Sequence, residues 1–399
     1  MIGLFIAPLY YGLLILLLVK SIKYFKHRKK IPFTFFAVVS ILILAIMPLT
    51  IVTGFLLPVG KAKRIFTQIG NYYFGISLYL LIGIGITELL RLLAKLILKK
   101  NYKDVLAKQI SNICIVMFTI IMSVYGVTNA QNLVVTKYDV TSKKESALQD
   151  LNIVLISDLH LGYNVGTKQM KNMVNKINAL YPDIVVLAGD VFDNEWEAIK
   201  NPDELKSILS NIKSKYGNYA VYGNHDIEEK IFCGFTFKWG KDKDKVSSIK
   251  EMDDFIKDSG FTVLYDDYVV INNEDSQVIS YIYGRPDYEK PNFGNATRFA
   301  PEEIVKGMDK DKYIICLDHE PRELQELANA GVDLDLNGHT HNGQVWPGTY
   351  TIKLFWDNAY GLKYFGDMAN VVTSGVGLFG PNMRTGCKAE IAEIFVHFN

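Results

Sequence analysis

Five short apolar runs, at residues 152–157, 183–188, 219–222, 313–317 and 332–336, each stop at a polar motif. The motifs are Asp158-Leu-His160, Gly189-Asp190-Val-Phe-Asp193, Gly223-Asn224-His225-Asp226, Asp318-His319-Glu320 and Gly338-His339-Thr340-His341. Runs this short and this rich in Ile, Val, Leu and Tyr read as strands buried on both faces. Open α/β sheets place their ligands at the carboxyl ends of strands, and five of the chain's seven histidines stand there. Helical patterns at 168–180, 202–214, 249–258 and 321–330 separate the runs, and an alternating stretch at 132–139 predicts a leading strand. Such alternation predicts a layered α/β domain.

The charge balance separates this domain from what precedes it. Residues 1–130 hold 15 of the 43 Lys and Arg but only Glu88 and Asp104 among 42 acids, which leaves 28 basic and 40 acidic residues for 131–399. The two parts, 1–130 and 131–399, therefore face different surroundings. The second is long enough to bury a full core, and its acidity argues against a nucleic-acid groove, which needs basic residues.

Residues 1–130 read as membrane. Four stretches, about 3–19, 33–57, 71–90 and 109–129, approach or exceed the roughly 20 apolar residues a helix needs to cross a bilayer. A signal peptide would account only for the first, and its apolar run lacks a preceding basic segment. The first connection carries Lys20, Lys23, Lys26, Arg28, Lys29 and Lys30, and the third carries Arg91, Lys95, Lys99, Lys100, Lys103 and Lys108. The second has only Lys61, Lys63 and Arg64. By the positive-inside rule the first and third lie in the cytoplasm, so an even number of spans leaves residues 131–399 outside it. No charge sits in mid-span, so the expected four-helix transmembrane domain is an anchor rather than a transport path.

Asp, His and Asn offer oxygen and imidazole ligands suited to Mn, Fe, Zn or similar divalent ions. A single strand-end histidine is more often a hydrogen-bonded structural residue, but that reading would have to hold for five histidines and two aspartates at once. Cys114, Cys233, Cys316 and Cys387 form no CxxC pair and predict neither a disulfide framework nor a thiolate zinc site.

The ordered set Asp158-x-His160, Gly189-Asp190-x-x-Asp193, Gly223-Asn224-His225-Asp226, His319 and Gly338-His339-x-His341 resembles the full motif signature of the calcineurin-like metallophosphoesterases, over about residues 150–345. The block 338–344, with Gly375, Gly377 and Arg384, is further similar to the bacterial membrane-associated branch related to UDP-diacylglucosamine hydrolases. The resemblance implies a four-layer α-β-β-α sandwich and two divalent metal ions, Mn being the first choice. It assigns Asp158, His160, Asp190 and His341 to one ion and Asp190, Asn224, His319 and His339 to the other, with Asp190 shared. A carboxylate between two cations offsets their repulsion, and the pair clamps the attacking and leaving oxygens of a phosphoryl displacement by a metal-activated hydroxide. The family pattern leaves His225 for the substrate, with Asp193 as the carboxylate that orients it. A helix N-cap is the structural alternative for Asp193.

Arg384 and Arg285 are the cationic candidates for substrate phosphate, since guanidinium binds phosphate bidentately; each is equally a candidate for a structural ion pair. Phe232, Phe235, Phe237 and Trp239 precede the Lys-Asp alternation of 238–250, as an aromatic lid or a small satellite core. The expected function is a membrane-anchored phosphoesterase acting on a phosphodiester or pyrophosphate bond of a lipid-linked or envelope substrate. Alternatives are a catalytically silent metal-binding membrane scaffold or sensor, a nuclease, or a phosphomonoesterase. The protein phosphatase hallmark is absent, because Asn194 and Glu195 follow Asp193.

Overall fold

A computed structural model describes residues 2–26, 32–99, 103–229, 231–232, 235–236, 250–290 and 298–398. The chain divides into two compact units: Met1–Thr128 with Ile231–Phe237 and Gly380–Met383, and the remainder, Asn129–Lys230, Lys238–Phe379 and Arg384–Asn399.

The first unit is helical: α1 (Ile2–Lys26), α2 (Phe33–Ile41), a π-turn at Leu42–Ile46, α3 (Met47–Leu56), α4 (Lys61–Leu98) and α5 (Asp104–Asn129). Two-residue strands β5 (Ile231–Phe232) and β6 (Phe235–Thr236) pair antiparallel within it. Close helix approach is made by small residues. A Cβ on Gly54 would lie 2.8 Å from Thr67 Oγ1, and one on Gly70 would lie 3.1 Å from the Ile51 backbone. Hydroxyl pairs add to the packing, Tyr10 with Ser77 at 2.5 Å and Ser21 with Ser40 at 2.6 Å. Small contact residues and interhelical hydrogen bonds are the means by which helices associate in lipid. Leu9, Leu56, Ile97 and Ile113 face outward and exposed, as a lipid-contacting surface requires. Three described helical stretches, Phe33–Leu56, Lys61–Leu98 and Asp104–Asn129, are long and apolar enough to cross a membrane. They cover the second to fourth predicted spans; the first, 3–19, lies in α1, which is not among the three. Lys61, Lys63 and Arg64, predicted as a connection, instead open α4.

The second unit stacks two sheets between helices. One runs β1 (Leu133–Thr141), β14 (Ala389–His397), β2 (Asp150–Ile156), β3 (Ile184–Ala188), β4 (Asn218–Val221), β7 (Thr262–Val263). The other runs β12 (Gly361–Phe365), β13 (Met368–Val372), β11 (Leu334–Asn337), β10 (Tyr313–Leu317), β9 (Val278–Gly284), β8 (Asp267–Asn272). Alternation along each strand builds three apolar layers. Leu151, Ile153, Leu155, Ile184 and Val186 meet Ile282, Ile315, Leu317, Leu334 and Leu336 between the sheets. Val154, Ile156, Val185 and Leu187 turn the other way, toward α6 (Thr167–Asn178), α7 (Pro202–Leu209) and α8 (Lys250–Asp258). Ile314 and Cys316 face α9 (Pro301–Ile304) and α10 (Leu324–Ala330). Cutting a central Leu155 to Ala would cost about 2–5 kcal/mol through the cavity left behind. A last one-turn helix, α11 (Gly348–Thr351), follows the final histidine motif.

The parallel order of β2, β3 and β4, and of β9, β10, β11 and β13, brings their carboxyl ends to one edge of each sheet. Every motif read from the sequence leaves one of those ends.

Candidate metal centre

The ligand-type residues sit in loops held by the strands they leave. Asp158 N and His160 N donate to Gly189 O and Asp190 O, at 3.0 and 3.1 Å, extending the β2–β3 pairing beyond the sheet. Asp226 ties two loops together: its carboxylate accepts from Asp190 N at 2.9 Å, Phe192 N at 3.0 Å and Gly223 N at 2.7 Å. Asp158, His160, Asp190, His339 and His341 all have positive φ, between 45° and 70°. Each such residue is strained, and strain of this kind gathers at functional sites where the surroundings over-determine it. At Gly189, φ is +77° and a Cβ would stand 2.7 Å from His319 Nδ1, so only glycine fits.

Two groups of donors converge. In the first, His160 Nε2 and His341 Nε2 are 3.0 Å apart, and Asp158 Oδ1 is 3.4 Å from His341 Nε2. In the second, His339 Nδ1 lies 3.1 Å from Asn224 Oδ1 and 3.2 Å from His319 Nε2. Asp190 Oδ2 joins them, 3.1 Å from His319 Nε2 and 3.7 Å from His160 Nε2. Asp158, His160 and His341, and likewise Asp190, His319 and His339, each offer ligand atoms within 4.8 Å of one another. His319 Nδ1 donates to Ala188 O at 2.7 Å, which leaves its Nε2 lone pair facing Asp190. A backbone carbonyl fixing the tautomer of a ring is the usual support of a metal-binding histidine. Buried nitrogen and oxygen lone pairs pointed at one another repel unless protons or cations lie between them. The donor set therefore fits two divalent ions, with Asp190 available to both.

The electrostatics agree with that fit. Burial pushes His225 down to about 4 and His339 down to about 3, the latter helped by His319. Burial, His160 and Arg384 hold His341 well below the usual imidazole value. Neutral imidazole is the form that binds metal. Burial also opposes charge on His160 and His319. The carboxylates of Asp193, Asp190 and Asp158 outweigh it at His160, and those of Asp190, Asp158 and Asp287 outweigh it at His319, so both values rise. Asp190 is buried, yet its histidine neighbours drive it well below the ordinary carboxylate range. The pocket attracts positive charge around Asp190.

The remaining predicted residues lie differently from expectation. His225 Nδ1 is hydrogen-bonded by Asn194 Oδ1, not by Asp193. Asp193 Oδ1 stands 3.6 Å from His160 Nδ1, and Asp193, His160 and His225 offer ligand atoms within 4.8 Å of one another, so the carboxylate flanks both rings. Asn194 takes the place, fully buried and with a positive φ of 58°.

Neither predicted phosphate arginine is free. Arg285 is fully buried and donates to Asp318 Oδ2 at 3.2 Å, Glu323 Oε2 at 2.8 Å and Phe299 O at 3.2 Å. Arg384, equally buried, donates to Gly375 O, Gly377 O and Lys388 O at 3.1, 2.7 and 3.1 Å, and its Nη2 is 3.4 Å from His341 Nδ1. Both guanidiniums brace loops of the site. Three aromatic or amide residues at the centre escaped the sequence reading. Besides Asn194, the Phe379 ring covers His225 and His160, with centroids at 4.8 and 5.4 Å. Trp356 meets His339 edge to face at 5.1 Å. An aromatic inside the glycine-rich turn 375–380 was the available signal for Phe379; Trp356 gave none. Phe237 and Trp239 of the expected aromatic lid, and the insertion up to residue 249, lie outside the described residues. Cys114, Cys316 and Cys387 are free thiols, with no disulfide among the described residues.

Two paired sheets whose strand ends carry this His, Asp and Asn set form a metallophosphoesterase domain. The chain belongs to the calcineurin-like phosphoesterase family, whose model matches residues 151–343; its members use divalent metals. It is 30% identical over 267 residues to an uncharacterized metallophosphoesterase of Aquifex aeolicus, covering 66% of this chain and 92% of that one. A transmembrane protein with metallophosphoesterase domain from Danio rerio is 28% identical over 291 residues, covering 70% of this chain and 61% of the other. An uncharacterized metallophosphoesterase of Campylobacter jejuni is 30% identical over 250 residues, covering 61% and 58%. The apolar helices and the transmembrane relative together point to membrane association.

Proposed function

We propose that the protein is a membrane-anchored phosphoesterase with two metal ions that hydrolyses a phosphodiester or pyrophosphate bond of a lipid-linked or cell-envelope substrate. The observation that carries this reading is the Asp190 carboxylate, set between the imidazoles of His160 and His319 at 3.7 and 3.1 Å. Asp158, His160, Asp190 and His341 would hold one ion; Asp190, Asn224, His319 and His339 the other. Bound there, two divalent ions supply Lewis acidity toward phosphoryl oxygens and lower the pKa of water toward about 7. An oxygen and nitrogen donor set without thiolate favours Mn, with Fe or Zn also served.

The chain's own residues do the rest. His225, whose Nδ1 meets Asn194 Oδ1 and whose ring lies tilted 4.8 Å from that of Phe379, would serve the phosphoryl oxygens or the departing alkoxide as its protonated form, donating from Nε2 a proton taken up with the anionic substrate. Phe379 keeps water from the rings of His160 and His225, which strengthens the electrostatic interactions beneath it. Asp193 lies beside the His160 ring, its Oδ1 3.6 Å from Nδ1. Four spans with both basic connections in the cytoplasm would put this site outside it, and anchoring raises the effective concentration of membrane-borne substrates.

The test is turnover by purified full-length protein with added Mn on bis(p-nitrophenyl) phosphate and on p-nitrophenyl phosphate, beside His225→Ala. Metal-dependent turnover that favours the diester and falls by roughly 100-fold or more in the variant is expected. Absence of turnover on both compounds sinks the enzyme reading, and preference for the monoester overturns the diester assignment.

A further inference from the structure

We propose that Arg322, held against Trp356 beside the metal centre, forms a subsite for a second oxyanion carried by the substrate beyond the scissile phosphate. The proposal rests on the phosphoesterase reading and adds the class of substrate. Around the centre most cations are spent. Arg285 and Arg384 are bound as described; Arg298 pairs with Asp318 and Glu323 at 2.6 and 2.9 Å, and Lys290 donates to Glu229 and to Asn224 O at 2.7 and 2.9 Å. Arg322 differs. Only its Nε is used, donating at 3.2 Å to the buried Glu320, and its terminal nitrogens have no partner among the described residues.

Its side chain is 39% exposed, so those nitrogens are open to solvent. The guanidinium lies 4.2 Å from the Trp356 ring centre and 5.3 Å from that of Tyr288. Aromatic faces hold a guanidinium by its planar faces and leave the in-plane N–H groups free, in the fork that matches an oxyanion. Trp356 in turn touches the candidate ligand His339, which places Arg322 one indole away from the centre. A phosphoester whose alcohol carries a further phosphate can engage both places at once.

The probes are thymidine 5′-(4-nitrophenyl phosphate) with and without a 3′-phosphate, on Mn-loaded full-length protein. A second readout is equilibrium dialysis of thymidine 3′,5′-bisphosphate against thymidine 5′-monophosphate on metal-free protein. The wild type should favour the 3′-phosphorylated ester by about tenfold or more in KM. In Arg322→Ala the preference should fall to about one, and Arg322→Lys should keep part of it, since a point charge replaces a fork. The dialysis preference should change in parallel, a shift that mere loss of Glu320 support would not produce. A wild-type ratio near one, or an unchanged ratio in Arg322→Ala, overturns the subsite. If the wild type cleaves neither ester, turnover of bis(p-nitrophenyl) phosphate decides the phosphoesterase reading by itself, and dialysis decides the subsite: a bisphosphate preference lost in Arg322→Ala upholds it, and no preference overturns it.

Discussion

Asn194 Oδ1 holds the Nδ1 of His225 inside the site, while the neighbouring Asp193 faces His160. A neutral amide oxygen fixes the tautomer and direction of the ring without adding charge, and replacing a support of this kind costs roughly 10- to 100-fold in activity or metal affinity. Asn194→Ala should therefore lower kcat with metal affinity kept, whereas Asp193→Asn should weaken metal binding through His160. Steady-state kinetics beside metal titration of both variants separates the two. The opposite assignment of effects would restore Asp193 as the partner of His225.

Gly189→Ala should damage the centre beyond its backbone cost. Positive φ alone costs a non-glycine residue about 1–2 kcal/mol, and here the added Cβ also meets Gly223 N at 2.6 Å and His319 Nδ1 at 2.7 Å. Gly307 supplies the control, with φ +90° and open space around a Cβ. Thermal melts should show both variants destabilised, and only Gly189→Ala should lose metal affinity. Equal affinities in the two would mean that the Gly189 turn does not position His319.

The gathering of these side chains was legible because their strands are short, parallel and buried on both faces, so each apolar run stops where a candidate ligand begins. The closing strand was not, although the edge strand β1 was read from its alternation at 132–139. β14 lies between β1 and β2, yet carries Glu390 and Glu393, which break its apolar pattern. Their burial is possible because Glu390 accepts from Tyr360 Oη at 2.8 Å and Thr373 Oγ1 at 2.9 Å, while Glu393 meets Lys137 at 3.1 Å. These partners lie far away in sequence. The arginines failed for a similar reason: whether a guanidinium is free depends on Asp318 or on the carbonyls of Gly375 and Gly377, which only the folded loops bring near. Asn194 and Asp193 are adjacent in the chain, and their order alone does not say which of two suitable side chains bonds to His225.

Tyr181, exposed at the turn after α6, offers a labelling site on the α/β unit. Under the proposed four-span topology, a cysteine at Tyr181→Cys should react with an impermeant maleimide in intact cells. Reaction only after permeabilisation would place the unit in the cytoplasm and reverse the proposed orientation.

His397 joins the ends of β1 and β2, with Nδ1 2.6 Å from Asp150 Oδ1 and Nε2 3.2 Å from Asp139 Oδ1. Hydrogen bonds to Asp150, then Asp139, raise its value above that of a free imidazole. The sign follows: its stabilising effect is complete below the unfolded value of about 6.5 and is lost as pH rises through the raised folded value. Imidazole NMR should show His397 titrating above about 6.5, and Asp150→Asn should bring it down. An unchanged titration in that variant would remove Asp150 as the cause.

The most direct measurement is the metal content of the purified full-length protein during Mn titration, followed together with diester turnover. Two ions per chain, with turnover appearing as the pair fills and both ions lost in Asp190→Ala, is the predicted result. A single ion per chain, or undiminished turnover in metal-free protein, would contradict a centre built on a shared Asp190.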